Sequence, residues 1–224
     1  MHIGFILDGN RTWARDRWIP TFEWHRQWYK RIEPILDLCY EQGLDFVSMW
    51  VLSNKNITER SETEVKYLFE LLEYWIVDLG KKAIKKWYRI ELVGDLTMIP
   101  EKHRVPMLNA VKKTLNGENM TVVIAIAYGG QNEILRATRR AIECGISSDE
   151  LDEETFLQFL DTGAFPPPDM IVRTGWHMRH SGFFLYQSEY SEYYFPEINW
   201  PDFSEEELYK ALNSYSKAER KFWK

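Results

Sequence analysis

The stretch Ile3-Gly4-Phe5-Ile6-Leu7-Asp8-Gly9-Asn10-Arg11 decides the fold that we predict for this chain. An apolar run that ends in a carboxylate and two turn-forming residues is typical of a buried strand followed by a turn. In open α/β sheets, ligands bind outside the carboxyl ends of the strands. The carboxylate and the arginine at this position indicate a small site for an anion and a metal ion, which points to diphosphate chemistry. Asp-Gly-Asn also forms ordinary turns, and these residues alone favour such a turn.

Short apolar runs alternate with segments of helical spacing along the rest of the chain. The apolar runs predict five strands, at residues 2–7, 46–52, 89–93, 121–127 and 170–172. The spacing predicts long helices at residues 24–42, 61–79, 131–144 and 204–220. In the second helix Ser61 and Glu64 have the spacing of a capping box, and the last helix is charged enough to lie on the surface. The alternation predicts an α/β fold with a mostly parallel central sheet flanked by helices on both faces.

The size and composition of the chain limit the classes of protein that it can represent. With 224 residues and no linker or low-complexity stretch, the chain is expected to form a single domain over residues 1–224. Its net charge of −6 argues against a nucleic-acid-binding surface. Two cysteines are too few for a disulfide framework, which favours the reducing cytoplasm. No stretch approaches the ~18 consecutive apolar residues of a membrane span, so the chain is expected to be soluble or at most peripheral at a membrane.

Polar side chains follow two further predicted strands. Ser53-Asn54-Lys55-Asn56 comes directly after the strand at 46–52 and offers a hydroxyl, amides and a cation, although a loop solvated by water has the same composition. Arg173 closes the last strand, and Arg179 and Ser181 follow in the next loop. Two guanidinium groups and a hydroxyl are thus placed to converge on one phosphate group. Arginines at a strand end are costly to desolvate without an anion, which favours a functional role.

Glu192 lies in the aromatic setting Tyr190-Ser191-Glu192-Tyr193-Tyr194-Phe195. A carboxylate in such surroundings needs a partner, such as an arginine or a metal ion. A Mg²⁺ ion shared with Asp8 would meet that need, because Mg²⁺ usually takes one or two carboxylates together with phosphate oxygens and waters. We therefore expect Mg²⁺ as the cofactor, with Asp8 and Glu192 as its protein ligands.

The motifs of several other classes are absent. The sequence has no Walker A loop, no Gly-x-Gly-x-x-Gly and no Asp-Asp-x-x-Asp of the helical prenyl synthases. A nucleotide-binding α/β protein is therefore a remote alternative. His177 and His180 have a spacing that fits a pair of metal ligands, but they lack a cysteine or carboxylate close by in the sequence.

Several ordered blocks together resemble the cis-prenyltransferases, which are the undecaprenyl diphosphate synthase family of isoprenyl transferases. The blocks are Phe5-Ile6-Leu7-Asp8-Gly9-Asn10-Arg11, Ser53 through Asn56 leading to Glu64-Val65, Tyr128-Gly129-Gly130, Pro168-Asp169-Met170-Ile171-Val172-Arg173-Thr174-Gly175, Arg179-x-Ser181, Tyr190-Ser191-Glu192-Tyr193-Tyr194-Phe195 and Trp200-Pro201-Asp202-Phe203. This number of blocks in one order makes a chance resemblance very improbable.

The resemblance implies a reaction and a cellular setting. Members of the family condense isopentenyl diphosphate with an allylic diphosphate, here expected to be farnesyl or geranyl diphosphate, and give a Z-polyprenyl diphosphate in a Mg²⁺-dependent reaction. Their fold has a hydrophobic tunnel, which would run between the helices predicted at 24–42 and 61–79. They are typically homodimers, and we expect a cytoplasmic protein with at most peripheral membrane contact.

The resemblance also implies roles for single residues. Asp8 matches the family's catalytic aspartate, and Asn56 matches a residue that abstracts a proton or positions a water. Because an amide is a poor base, we expect Asn56 to position the group that takes the proton. The residues expected to bind the two substrates are Gly9, Asn10, Arg11, Thr12, Trp13, His25, Ser53, Asn54, Lys55, Arg60, Arg173, Arg179, His180 and Ser181.

The chain departs from the family pattern at several positions. Thr12 and Thr21 stand where the family commonly has arginines that help to bind the allylic diphosphate. Trp176 and His177 replace a glycine and a glutamate, and the C-terminal Arg-x-x-Gly is absent. Two alternatives to an active cis-prenyltransferase therefore stay open. One is a non-catalytic partner subunit, which the presence of Asp8 disfavours, and the other is a relative that couples prenyl diphosphates differently.

Overall fold

The fold is built around one six-stranded sheet. In this computed structural model the described residues are 1–218, and the side chains of residues 21–27 lie outside the description. The strands are β1 (His2–Ile6), β2 (Phe46–Ser53), β3 (Tyr88–Val93), β4 (Met120–Tyr128), β5 (Met170–Arg173) and β6 (Glu192–Tyr194). Neighbouring strands follow the order β3-β4-β2-β1-β5-β6, and every pair is parallel. The parallel sheet predicted from the sequence is confirmed.

The five predicted strands agree with β1 to β5 to within one residue at each end. The sixth strand, β6, was not predicted. It has three residues and pairs with β5 at the edge of the sheet. A strand this short has too few alternating positions to give a periodic signal.

Eight α-helices connect the strands of the described residues. They are α1 (Asn10–Asp16), α2 (Thr21–Glu41), α3 (Asn54–Glu59), α4 (Glu62–Lys86), α5 (Glu101–Lys112), α6 (Gly130–Glu143), α7 (Glu153–Leu157) and α8 (Glu205–Lys217). The four long helices that were predicted correspond to α2, α4, α6 and α8, although α4 runs past its predicted end and the last predicted residues of α8 lie outside the description. Ser61 caps α4 as expected, because its side chain accepts a hydrogen bond from the backbone N–H of Glu64. Within residues 1–218, none of the helices is long and apolar enough to cross a membrane.

The sheet is covered on both faces, as predicted for an α/β fold. One face packs alternate strand residues, such as Phe5 and Ile124, against apolar residues of α2, α4, α5 and α8. The opposite face packs against the segment that contains Phe183 and Phe184. Helix α8 is therefore only partly a surface helix, since its Leu208 is fully buried in the core.

Two short helices follow β1 and β2 almost directly, and they bring the polar residues of both strand ends together. Helix α1 begins at Asn10, and α3 begins at Asn54. Neither was predicted, because a helix of six or seven residues is too short to show an apolar period. Helices α1 and α3 thus place the polar motifs that follow β1 and β2 at the carboxyl ends of these strands.

We expect the interior strand β4 to contribute strongly to the stability of the fold. Ile124 is fully buried there, so Ile124→Ala should lower the free energy of unfolding by about 2–5 kcal/mol. Ile142, on the outer face of α6, is 71% exposed, and Ile142→Ala should change it by less than about 0.5 kcal/mol. Urea unfolding of both variants measures the difference. Equal losses would contradict the core described above.

Candidate active site

A cavity of about 330 Å³ opens at the carboxyl ends of β1, β2 and β5. One part of its wall is polar, and the polar residues are all ones that the sequence predicted as site residues. They are Asp8, Gly9, Asn10, Arg11, Thr12, Ser53, Asn56, Arg60, Arg173 and Ser181. The other part is apolar and is lined by Ile6, Leu7, Trp28, Trp50, Val51, Leu52, Leu68 and Leu72. The cavity thus offers separate surroundings for an anionic group and for a hydrocarbon group.

Asp8 is fixed in place through its backbone and its side chain. Its N–H donates to Thr174 Oγ1 at 3.1 Å, and its carbonyl accepts from that hydroxyl at 2.7 Å and from the Trp200 N–H at 3.0 Å. The carboxylate accepts from the Gly9 N–H at 2.7 Å and from Arg173 Nη2 at 2.8 Å. The side chain is 39% exposed, so it still presents lone pairs to the cavity.

Arg173 is the most deeply buried charge of the site, with a side chain that is 6% exposed. Its Nη1 donates to Ser181 Oγ at 2.6 Å and to the carbonyl of Arg179 at 2.5 Å. A buried guanidinium is strongly unfavourable without partners of opposite charge or polarity. The pair with Asp8 and the bonds to the loop supply these partners, and they orient Arg173 before any ligand arrives.

Two glycines allow the backbone to approach Asp8 closely. Gly9 and Gly175 both have left-handed backbones, with φ of +92° and +86°. A Cβ atom on Gly175 would lie 2.7 Å from the Gly9 nitrogen and 2.8 Å from the Asp8 carbonyl carbon. A side chain at Gly175 would therefore push the loop after β5 away from the end of β1.

Asn56 lies in the cap of its own helix. The Ser53 hydroxyl accepts from the Asn56 N–H at 3.0 Å, and the Asn56 side-chain oxygen accepts from the Ser53 N–H at 3.5 Å, which is a capping box. The oxygen is thus occupied, and the amide NH₂ is the group that Asn56 can offer to the cavity it lines. This arrangement favours a positioning role over that of a base.

Two arginines share one carboxylate at the rim of the cavity. Arg11 Nη2 lies 2.9 Å from Glu64 Oε1, and Arg60 Nη1 lies 3.1 Å from the same oxygen. Burial and the charge of Arg11 lower the pKa of the Arg60 guanidinium, while Glu64 acts against both effects. Glu64 therefore holds two cations beside the cavity that would otherwise repel each other. The sequence indicated Glu64 as part of a helix cap and of a family block, without a role at the site.

The chain was compared with known families and proteins. A family model described as "Putative undecaprenyl diphosphate synthase" matches residues 6–223. The chain belongs to this family. It is 37% identical to the tritrans,polycis-undecaprenyl-diphosphate synthase (geranylgeranyl-diphosphate specific) of Thermoplasma volcanium, over 99% of the chain and 88% of that relative. It is also 37% identical to the isoprenyl transferase of Aquifex aeolicus, over 99% of the chain and 94% of that relative.

Solved structures of the family agree with the fold. Lavandulyl diphosphate synthase from Lavandula x intermedia, in complex with dimethylallyl diphosphate, superposes with a TM-score of 0.93 at 31% identity, covering 98% of this chain and 96% of that one. A probable undecaprenyl diphosphate synthase from Campylobacter jejuni gives a TM-score of 0.82 at 29% identity, with the same coverage. The predicted family, its fold and an enzyme that transfers prenyl groups are thereby confirmed. The predicted tunnel is not shown.

Several predicted site residues lie outside the cavity wall. Trp13 directs its indole N–H to Asp202 at 2.8 Å. Asn54 and Lys55 lie in the first turn of α3 without lining the cavity. The side chain of His25, which was predicted to bind a substrate, lies outside the described residues.

The loop after β5 contributes differently from the two-arginine clamp that the sequence predicted. The Arg179 guanidinium is exposed and lies 3.5 Å from His177 Nδ1, while the Arg179 carbonyl oxygen accepts from Arg173. His180 Nδ1 accepts from the Gly182 N–H at 3.1 Å. Only one guanidinium of the predicted pair therefore lies at the cavity, because the loop turns the other side chain towards solvent.

The expected Mg²⁺ ion shared by Asp8 and Glu192 does not fit the register of the sheet. Glu192 pairs with Met170, and Met170 pairs with Ile3. At ~3.3 Å per residue, Asp8 lies roughly 15 Å further along the strand direction. One ion cannot contact both carboxylates of a single chain. Among the described residues no group of three His, Cys, Asp or Glu side chains is placed to hold a metal ion, and Asp8 is the one carboxylate of the cavity wall.

Of the residues that depart from the family pattern, some line the cavity and others do not. Thr12 and Arg60 line it, so Arg60 supplies a cation near the missing arginine. Trp176 is 59% exposed and does not line the cavity, so it does not seal the site within one chain. The Thr21 side chain lies outside the described residues.

Sequence reasoning identified only part of the apolar wall. Trp28, Leu68 and Leu72 lie on the two helices between which the resemblance placed a hydrophobic tunnel, but the sequence did not separate the side chains that line the cavity from those of the core. Trp50 carried no motif. Thr174, which holds the Asp8 backbone, stood in a quoted family block without an assigned role.

We expect Gly175→Ala to harm the site more than the same substitution does at a left-handed glycine elsewhere in the chain. Gly43 has φ +72° and open space around it, so Gly43→Ala should cost only the ~1–2 kcal/mol of a left-handed alanine. Gly175→Ala should cost more, because its Cβ would also meet the Gly9 nitrogen at 2.7 Å. Thermal unfolding and prenyl transfer assays of both variants test this. Comparable activity in the two variants would contradict the close approach.

Proposed function

We propose that this chain joins isopentenyl diphosphate to a short allylic diphosphate, such as geranyl or farnesyl diphosphate, and gives a Z-configured prenyl diphosphate. We take residues 1–224 as one domain for this reaction. The observation that carries the proposal is the Asp8–Arg173 pair beside a cavity whose remaining wall is apolar. An anionic head and a hydrocarbon tail each find suitable surroundings there.

The residues present are compatible with Mg²⁺. Asp8 keeps exposed lone pairs towards the cavity, and a single carboxylate with phosphate oxygens and waters is a common set of ligands for this ion. We therefore propose Asp8 as its protein ligand. When bound, Mg²⁺ would stabilise the negative charge of the departing diphosphate.

The side chains of the cavity wall would bind and orient both substrates. We propose that Arg173 and Ser181 hold the diphosphate of isopentenyl diphosphate, since a preoriented guanidinium and a hydroxyl suit phosphate oxygens. Arg11 and Arg60, held by Glu64, would bind the allylic diphosphate at the rim. The Asn56 NH₂ would orient the group that accepts the proton when the new carbon–carbon bond has formed.

Unpaired buried polar atoms support an anionic ligand. Six such side-chain atoms have no partner among the described residues, and four belong to residues of the cavity wall. These four are Asn10 Oδ1, Trp50 Nε1, Arg60 Nε and Arg173 Nε. Three of them are N–H donors, which would suit the acceptor oxygens of a diphosphate.

The apolar end of the cavity supports a short product. A cavity of about 150 Å³ holds one benzene molecule, so about 330 Å³ suits a short prenyl chain and is too small for a long polyprenyl chain. Leu68 and Leu72 line the cavity, and Trp75 is the next residue of the same face of α4. Trp75 is buried and meets Trp28 of α2 edge to face, with ring centroids 5.6 Å apart. We propose that this pair closes the cavity floor.

A second candidate is a family member that couples two prenyl diphosphates in another way. It is favoured by the TM-score of 0.93 to a lavandulyl diphosphate synthase and by the small cavity. Incubation with dimethylallyl diphosphate alone separates the two candidates. A product formed without isopentenyl diphosphate would favour the second, and linear Z products that require isopentenyl diphosphate would favour the first.

We also propose that the chain acts as a homodimer in the cytoplasm, with at most peripheral membrane contact. The proposal rests on the family, and on the free thiols of buried Cys39 and exposed Cys144, which suit a reducing compartment. Light scattering should give twice the chain mass of 26.8 kDa.

We expect Asp8→Asn to abolish most transfer activity without loss of the fold. Asparagine keeps an oxygen for the Gly9 N–H but removes the charge, so kcat should fall roughly a hundredfold or more. Asp16→Asn is the control, because Asp16 is exposed, pairs with the neighbouring Arg15 and does not line the cavity. Radiolabelled isopentenyl diphosphate with geranyl or farnesyl diphosphate and Mg²⁺ gives the rates. An Asp8→Asn enzyme of near-normal rate would disprove the assignment.

We expect Trp75→Leu to lengthen the product. The smaller side chain opens the floor below Leu72, so products should gain one or more isoprene units. Phe69→Leu is the matched control, because Phe69 is equally buried on α4 but faces His103, with ring centroids 6.2 Å apart. Chain-length analysis of the products measures the effect. An unchanged length in Trp75→Leu, or the same increase in both variants, would refute the closed floor.

A further inference from the structure

The β5–β6 loop (residues 174–191) holds the phosphate-binding Ser181 in a strained conformation. Ser181 and Phe184 have φ of 52° and 47°, and Gly182 between them has φ of 92°. Left-handed backbone costs roughly 1–2 kcal/mol for each residue that is not glycine. Such strain persists only where the surrounding structure enforces it, and it is concentrated at functional sites.

The first half of the loop is held by packing and by one backbone bond. Phe183 is fully buried and stacks on Trp50 with ring centroids 5.5 Å apart. The Gly130 N–H donates to the Gly182 carbonyl at 3.0 Å. A Cβ on Gly130 would lie 2.4 Å from that carbonyl oxygen, so α6 approaches the loop as closely as its backbone permits.

The second half of the loop is held by a buried polar network that the transfer reaction does not use. Gln187 Nε2 donates to the Thr162 carbonyl at 2.8 Å, and the Gln187 and Ser188 N–H groups both donate to the Phe184 carbonyl. Glu133 of α6 accepts from the Thr162 N–H at 2.9 Å and from the Tyr128 hydroxyl at 2.6 Å. Glu133 and Thr162 are almost completely buried. The network thus links α6 to the strained residue Phe184.

The number of protons in this network indicates that Glu133 is a neutral acid. Thr162 Oγ1 lies 2.8 Å from Glu133 Oε1 and 2.5 Å from Gln187 Oε1, but a hydroxyl has one proton to donate. Both contacts are hydrogen bonds if Glu133 donates to Thr162, which then donates to Gln187. Turning the Gln187 amide over does not remove this need, because its oxygen would then face the Thr162 carbonyl.

The surroundings of Glu133 favour the protonated form of its carboxyl group. Burial is the largest cause that raises the pKa of Glu133, and the charge of Asp161 raises it further, while the hydrogen bonds from Tyr128 and Thr162 act in the opposite direction. Arg136, on the same helix, forms its ion pair with Asp161 rather than with Glu133. Gln187, which approaches from the loop, is uncharged.

We propose that Glu133 is a positioning residue of the diphosphate site, which acts through Thr162 and Gln187. The network holds the β5–β6 loop in the strained form that sets Ser181 and the Arg179 carbonyl against Arg173. The inference rests on the proposed function, since it concerns how the cavity binds a diphosphate.

The test is the binding of inorganic diphosphate with Mg²⁺, measured by calorimetry, to the full chain and two matched variants. Thr162→Val keeps the shape of the side chain and removes the hydroxyl between Glu133 and Gln187. Thr114→Val removes an equally buried hydroxyl, which accepts from the Ile90 N–H at 3.0 Å and donates to the Val111 carbonyl at 2.7 Å, far from the cavity. Both should lower the unfolding midpoint. Only Thr162→Val should raise the Kd, by about tenfold.

The possible outcomes distinguish a failure of this inference from a failure of the proposed function. Wild-type chain that does not bind diphosphate would overturn the proposed function itself. Wild-type binding with an unchanged Kd in Thr162→Val, or an equal rise in Thr114→Val, would overturn the role of the network alone.

A pH series adds a second readout. Because the folded chain keeps a proton that the unfolded chain loses above the ordinary Glu pKa of 4.5, wild-type stability should fall as the pH rises from 4.5 towards the raised value. Glu133→Gln cannot titrate and should lack this component. The same pH dependence in both proteins would contradict a protonated Glu133.

Discussion

The site depends on the pairing of Asp8 with Arg173 across the ends of two neighbouring strands. The two residues are far apart in the sequence, and the parallel register of β1 and β5 brings their side chains to 2.8 Å. A buried guanidinium without this partner would be strongly unfavourable, so the pair ties the sheet to the site. The glycines around Asp8 and the loop that accepts from Arg173 are arranged around that one contact. The Asp8–Arg173 contact therefore both stabilises the fold and orients the groups that are proposed to bind a diphosphate.

The rest of the cavity follows from what surrounds this pair. At the rim, Glu64 pairs with two arginines and keeps them in place, which leaves one net positive charge for an anion. Away from the rim, α4 supplies Leu68 and Leu72, so that the polar wall gives way to an apolar one. The boundary between the two parts matches a substrate with a diphosphate head and a short hydrocarbon tail. Departures from the family at Thr12 and Trp176 leave this division intact.

The sequence predicted those features that reside in local patterns. Five strands appear as apolar runs and four long helices as helical spacing, and the ten polar residues of the wall all end or follow β1, β2 or β5 in the sequence. What depends on tertiary register was not predictable. Glu192 was paired with Asp8 because a carboxylate in an aromatic setting needs a partner, whereas the edge strand β6 places Glu192 level with Ile3. The Trp28–Trp75 contact and the Glu133 network join distant segments whose residues carry no signal by themselves.

A double-mutant cycle on diphosphate binding tests the central claim most directly. The dissociation constant of inorganic diphosphate with Mg²⁺ would be measured for wild type, Asp8→Asn, Arg173→Lys and the double variant. If the two side chains act as one preoriented unit, their effects should deviate from additivity by more than about 1 kcal/mol. Additive effects, within about 0.5 kcal/mol, would contradict the view that the Asp8–Arg173 pair forms the diphosphate site.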